Sequence, residues 1–195
     1  RTKAKGEPLI VFNPLSWPVT APVALWAHDP DVRVVDPDGR EQAAQLLRGE
    51  RRGAGSDRVE FVAEDVPALG YRVFYLVSDS VLIDPVPDAT FLSIENAFYR
   101  LRLVPGGFAS IYDKELGREI LDTRKFLGFE VFTMRSVGNG AGEFGRVQQP
   151  TMEGFDALGR RRPEWRETES GPVRTVYSLE QAMADCTVRE RLVIY

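Results

Sequence analysis

Glu143, Glu153 and Asp156 stand close together in one Gly-rich stretch, beside Phe144, Phe155 and Trp165. Two carboxyl groups are enough to hydrolyse a glycoside. One serves as general acid and the other as nucleophile or base, and no histidine is required. Aromatic rings suit the same substrate, because a ring face covers the C–H face of a sugar. The competing reading is a solvated loop. Loops longer than about 15 residues are uncommon unless they are functional or disordered, so both readings stand.

Other chemistries lack their parts. The chain has one histidine, His28, and one cysteine, Cys186. A catalytic zinc takes about three protein ligands. His28 precedes Asp29-Pro30 and reads as a turn residue. A Ser-His-Asp or Cys-His arrangement would have to use that same imidazole, and no nucleophile elbow G-x-S-x-G occurs. "GNGAGEFG" (138–145) is not followed by the Gly-Lys-Ser/Thr of a phosphate-binding loop. Gly140, Gly142 and Gly145 match G-x-G-x-x-G literally, but without the βαβ unit that gives the pattern meaning. Cys186 reads as a small buried hydrophobe. A lone thiol forms no internal disulfide, which fits a reducing compartment and a cytoplasmic location.

The elements that would hold these residues are strands. "PLIVF" (8–12) closes on Asn13-Pro14; "APVALWA" (21–27) and "VRVVD" (32–36) follow. In "DPDGR" (36–40), Pro37 and Gly39 suit a tight turn. "EQAAQLL" is either strand or a short helical turn, and 48–57 reads as a loop. "RVEFVAE" alternates Val59, Phe61 and Ala63, and "YRVFYLV" (71–77) is a dense β run. Short strands with regular turn signals make a small antiparallel sandwich over 1–78. Residues 79–90, rich in Pro and Asp, read as a linker. Residues 91–195 carry longer strands. "NAFYRLRLV", "PGG", "FASIYD" and "DKELGRE" read as a β-meander turning on glycine. Its alternation puts Phe108, Ser110 and Tyr112 on one side and Ala109, Ile111 and Asp113 on the other. "FLGFEVFTMRSV" (126–137) reads as a further strand, 138–172 as a long Gly-rich charged segment with a helical turn or two near "TMEGFDALGRRR", and 171–195 as two long strands. The expected class is all-β.

The hydrophobic fraction, 43%, and the charged fraction, 28%, are ordinary globular values. No apolar run approaches the roughly 20 residues of a membrane span, so no membrane partner is expected. Net charge is −4, and the basic clusters Arg51-Arg52 and Arg160–Arg162 lie in loops, so no nucleic-acid partner is expected. The start lacks a Met and the end stops within a strand pattern. Both fit a piece cut from a longer polypeptide.

Several blocks, taken in order, carry a resemblance. "LIVFNPLSWPVTAPVAL", "VPALGYRVFYLV", "IENAFYRLRLVPGGFASIYDKELGREIL" and "ESGPVRTVY" resemble the C-terminal β region of glycoside hydrolase family 38, the α-mannosidases. The resemblance implies a small β-sandwich followed by the first part of a large galactose-mutarotase-like super-sandwich. It implies partners within the parent, a catalytic α/β barrel and a helical domain, and a mannoside substrate there. It implies a zinc ion and aspartate catalysts in the parent, with neither catalytic residue nor metal ligand on this chain. In the family, a loop of the large sandwich reaches the sugar pocket with an aromatic hydroxyl. The matching stretch here, 138–150, offers Phe144 instead of tyrosine, which removes that hydroxyl. Glu143, Phe144 and Arg146 are the substrate-binding candidates in the parent; packing at a domain interface is the alternative. The expected function is thus a non-catalytic β region of a retaining α-mannosidase-like hydrolase. A free-standing carbohydrate-binding module, with Trp17, Trp26 and Trp165 as a platform, is the alternative, although Trp17 and Trp26 read as packing residues. Incomplete sheets also expose strand edges, which favour pairing between copies.

Overall fold

The computed structural model describes residues 6–28, 32–51, 57–78, 93–135 and 152–195, with the backbone alone over 48–51. The sequence-derived linker 79–90 lies outside these residues. Strands dominate, and the described residues fall into two units. The first takes those up to 78 with 169–175 and 194–195, and the second takes those from 93 to 168 with 176–193.

The first unit is built on β1 (Glu7–Asn13), β2 (Val19–Ala27), β3 (Val32–Val35), β4 (Glu41–Gln42), β5 (Ala44–Arg51), β6 (Asp57–Val66) and β7 (Gly70–Ser78). One antiparallel sheet has the order β1-β7-β3-β4 and the other β2-β6-β5. Their inner faces share one core, with Val59, Phe61 and Ala63 of β6 against Val34 of β3 and Phe74 of β7. Phe61 and Phe74 are fully buried and meet edge to face, 5.1 Å between centroids. Burying such a ring contributes about 1.5–3 kcal/mol. The strands alternate because their side chains point to opposite faces in turn, and two half-apolar sheets bury their apolar faces on each other. Asn13 fixes one corner. Its Oδ1 accepts from the Leu15 amide at 2.9 Å, while its Nδ2 donates to the Trp17 and Val66 carbonyls at 2.7 and 3.1 Å. Asp36 fixes another, its Oδ1 accepting from the amides of Asp38 and Arg40, both at 2.9 Å.

The second unit opens with the meander: β8 (Ser93–Glu95), β9 (Tyr99–Val104), β10 (Gly107–Asp113) and β11 (Arg118–Glu119), ordered β11-β10-β9-β8. Its turns use Gly106 at φ +87° and Gly117 at φ +63°, a region that glycine enters without steric cost. A Cβ at Gly106 would also sit 2.7 Å from the Gly159 Cα. Then come β12 (Phe132–Thr133), paired with β13 (Asp156–Ala157), and α1 (Leu158–Arg161). A last sheet has β14 (Arg166–Glu169), β15 (Thr175–Ala182) and β16 (Thr187–Ile194) in that order.

Five expectations change. A register shift between Phe108 and Ser110 leaves Ala109 as the extra residue of a β-bulge; Phe108 opposes Leu103 and Ile111 opposes Leu101. Phe108 and Ile111 therefore share a face, where strict alternation separates them. Within 126–135 only Phe132 and Thr133 pair as a strand, because Phe129 takes φ +57° and Gly128 bonds back to Phe108. Segment 44–51 is strand throughout. Cys186 is exposed, not buried. It closes the β15–β16 turn, where the Met183 amide donates to its carbonyl at 2.8 Å. Trp17 and Trp26 also lie outside the core, 58% and 40% exposed; Arg58, cross-strand from Trp26, stands 5.9 Å from its ring.

Candidate functional site

The substrate-binding candidates Glu143, Phe144 and Arg146 lie outside the described residues. Their acidic neighbours are placed, and both are paired. Asp156 accepts from Arg161 at 2.9 Å, and this hydrogen bond holds its carboxyl below the ordinary range. Glu153 faces Arg135 at 3.7 Å. A general acid needs a raised pKa, so Asp156 is unsuited to that role. Trp165 is buried, its edge toward Phe108 with centroids 5.7 Å apart. That burial denies it a place on a surface platform. His28 lies exposed just past the end of β2.

The sequence reading missed a buried ionic cluster in the first unit. Arg174, 7% exposed, sends Nε and Nη2 to the two Glu169 oxygens at 2.9 and 3.1 Å. Its Nη1 stands 3.1 Å from Oε2 of Glu60, an ion pair without hydrogen-bond alignment. Gln45 completes the arrangement. Its Nε2 donates to Glu169 at 2.7 Å, and its Oε1 accepts from the amides of Val173 and Arg174 at 3.2 and 3.0 Å. Tyr195 donates to Glu60 at 3.3 Å. Burial opposes the charge on Arg174, but the hydrogen bonds that it donates to Glu169 and the Glu60 carboxylate outweigh it and raise its pKa. A Cβ on Gly171 would collide with the Gln45 amide. Every charge here has an opposite partner, so the cluster fastens segment 169–175 to β5 and β6. It offers no free acid or base. Glu169, Gly171 and Arg174 are all letters of the "E-x-G-P-V-R" block; that block signalled a strand but not the partners.

Two concavities lie in the second unit. The first, about 700 Å3, is charged, with Glu164, Arg166, Glu180, Arg189 and Arg191 among its walls. Glu180 accepts from Arg189 at 2.8 Å, which lowers its pKa. The second, about 610 Å3, is an apolar groove with Leu101, Phe108 and Trp165 on its floor and Tyr99, Ile120 and Phe129 on its rim. Tyr177, on β15, is buried, and this, with the charge of Glu167, pushes its hydroxyl up to about 12. No group of three His, Cys, Asp or Glu among the described residues is placed to hold a metal ion. The family resemblance assigns its zinc to the parent and not to these residues, and no chemical step is assigned through it.

No family model matches the sequence, and no curated protein does. A solved structure does match: a protein in the glycosyl hydrolase family 38 from Enterococcus faecalis, with a TM-score of 0.61 and 17% identity. The match covers 89% of this chain and 24% of the other. The chain shares that protein's fold. It spans about a quarter of the family 38 protein's length. No helix among the described residues is long and apolar enough to cross a membrane.

Proposed function

We propose that this chain is a non-catalytic β region of a retaining α-mannosidase-like glycoside hydrolase, bracing a catalytic barrel and helical domain that carry the zinc and the aspartates. The observation that supports this most is the shared fold over 89% of the chain, set against 24% of the family 38 protein. The arginine-bonded state of Asp156 and Glu180 agrees with it, because a carboxyl held below its ordinary range by an arginine is a poor proton donor to a substrate. In this reading the stretch 138–150 completes the sugar pocket through Glu143, Phe144 and Arg146. Cytoplasmic location and pairing through strand edges belong to the same proposal. The test is an aryl α-mannoside assay of the 195-residue chain with zinc added. The expected result is no turnover above buffer; turnover abolished by chelation would overturn the proposal.

A carbohydrate-binding module is the second reading, favoured by the exposure of Trp17 and Trp26. Mannose that shifted the indole signals of these two residues would support it.

A further inference from the structure

The outer strand of a sheet presents a row of unpaired backbone N–H and C=O groups, and natural proteins blunt such edges with brevity, charge or proline. The described edges of this chain are blunted, with one exception. β4, β11, β12 and β13 have two residues each, and β8 has three. β14 reads RETE, β5 ends in RGER, and β16 carries Arg189, Glu190 and Arg191 in succession. β2 has Pro22 near its middle. The exception is β1, the outer strand of the order β1-β7-β3-β4. Five apolar residues, Pro8 to Phe12, run through it without a charge, and its proline stands near the start.

The side chains of β1 break a second rule. A strand with one wet face alternates apolar and polar residues. Leu9 and Val11 pack on the core, yet Pro8, Ile10 and Phe12, which alternate with them, are apolar too. Ile10 is 50% exposed and Phe12 71%, and Phe12 meets the exposed Tyr71 of β7 at 5.7 Å between centroids. Edge and outer face thus form one uncharged margin of the first unit, of the kind that marks association.

We infer that β1 pairs antiparallel with β1 of a second copy about a two-fold axis at Ile10, joining the two four-stranded sheets into one. The edge selects a strand as occupant, because a strand answers a row of outward N–H and C=O groups. The residue order selects the chain's own copy. With Ile10 opposite Ile10, Leu9 faces Val11 and Pro8 faces Phe12, so every apolar residue of β1 gains an apolar partner. Glu7 faces Asn13, so no like charges oppose each other. An axis at Leu9 sets Glu7 against Val11, and one at Val11 sets Leu9 against Asn13. The inference names the edge for the strand pairing proposed above and rests on that part of the proposal alone.

The test is sedimentation of the 195-residue chain over a range of concentrations. A monomer–dimer equilibrium is expected. Ile10→Lys, which sets two ammonium groups opposite each other at the axis, is expected to raise the dimer Kd at least about tenfold. Thr187→Lys, at an exposed position on the edge strand β16, is expected to leave it unchanged. Should Ile10→Lys not fold, Phe12→Lys at a more exposed position takes its place. The register is read in a Cys186→Ser background. Ile10→Cys is expected to form an intermolecular disulfide on air oxidation, since the axis sets the thiol beside its own copy; Phe12→Cys, which faces Pro8, is not. A chain that is monomeric at every concentration overturns the inference and the strand-edge pairing together. A dimer that Ile10→Lys leaves as tight as the parent overturns the inference alone, and its loss in Thr187→Lys would move the pairing to β16. A disulfide that forms as readily in Phe12→Cys as in Ile10→Cys overturns the two-fold register. None of these outcomes bears on the catalytic reading, which the mannoside assay tests.

Discussion

The first unit pairs the charges it buries, and the second leaves a buried carboxylate oxygen without a partner among the described residues. In the first, the Arg174 guanidinium, at 7% exposure, faces the carboxylates of Glu60 and Glu169, the Glu60 Oε2 meeting it as an ion pair without hydrogen-bond alignment. In the second, the Trp165 Nε1 and the Glu190 Oε2 are shielded and unmatched. The apolar residues divide in the same way. Phe61 and Phe74 are sealed between two sheets at 0% exposure, while Phe129, Ile120 and Tyr99 stand on the rim of the groove, 69%, 47% and 41% exposed. The seal is not perfect in the first unit, where Phe12 and Tyr71 pair on an outer face at 71% and 57% exposure. Two sheets close a core because each supplies one apolar face. The meander supplies one such face and leaves part of it open. An open apolar surface of this kind marks an interaction site, and it is where binding is to be sought.

The largest expected effect tests this contrast directly. Phe74→Ala removes a ring from a closed core and should cost about 3–5 kcal/mol. Phe129→Ala removes one from an open rim, and its left-handed backbone is no worse served by alanine; the cost should stay within about 1 kcal/mol. Urea unfolding of both variants gives the comparison. Similar losses would mean that the groove is closed in solution and that the two units do not differ as described. Next in size is Arg174→Met. It leaves Glu60 and Glu169 facing each other in a buried site, and breaking such a cluster from one side costs about 3 kcal/mol. Adding Glu60→Leu and Glu169→Leu should recover most of the loss, because an apolar replacement of the whole cluster owes no desolvation. A single variant as stable as the parent would show that the cluster is hydrated and not a fastener.

Much of the first unit was legible because alternation is a local signal. Val59, Phe61 and Ala63 fall on the inner face as their spacing predicts. Glu60, between two of them, does not follow the pattern. It is buried because Arg174 comes to it from the far end of the chain, and no window of sequence contains both. Gln45 is hidden for the same reason. In the second unit the glycine turns at Gly106 and Gly117 were readable from residue type. The bulge at Ala109 was not, since a single extra residue leaves composition and spacing unchanged while reversing the faces of everything before it. The groove depends on that reversal and on Trp165, just before β14, and Glu190, within β16, which are far apart in the sequence. Cys186 illustrates the limit of residue averages: cysteine is mostly buried, but a hairpin turn leaves this one outside.

The smallest effect concerns Glu190, and its sign separates the two units again. Burial raises its carboxyl above the ordinary value of 4.5, so the folded chain keeps this proton at a pH where the unfolded chain has released it. With fewer protons on the unfolded state, stability falls as pH rises from about 4.5 through the raised value. The exposed carboxylates paired with arginine, Asp122, Asp156 and Glu180, are shifted the other way and lose their contribution only as pH falls below that window. Glu190→Gln removes one titration and leaves theirs, as well as Tyr99 and Arg191 beside it in the groove. The difference between parent and variant, from urea unfolding at several pH values, should therefore be flat below pH 4 and move in favour of the variant above it. The change should be smaller than for the buried cluster, because the rest of the Glu190 side chain reaches solvent. A flat difference throughout would place the carboxyl in water, and with it would go the contrast between a unit that pairs its buried charges and one that leaves a carboxyl waiting for a partner.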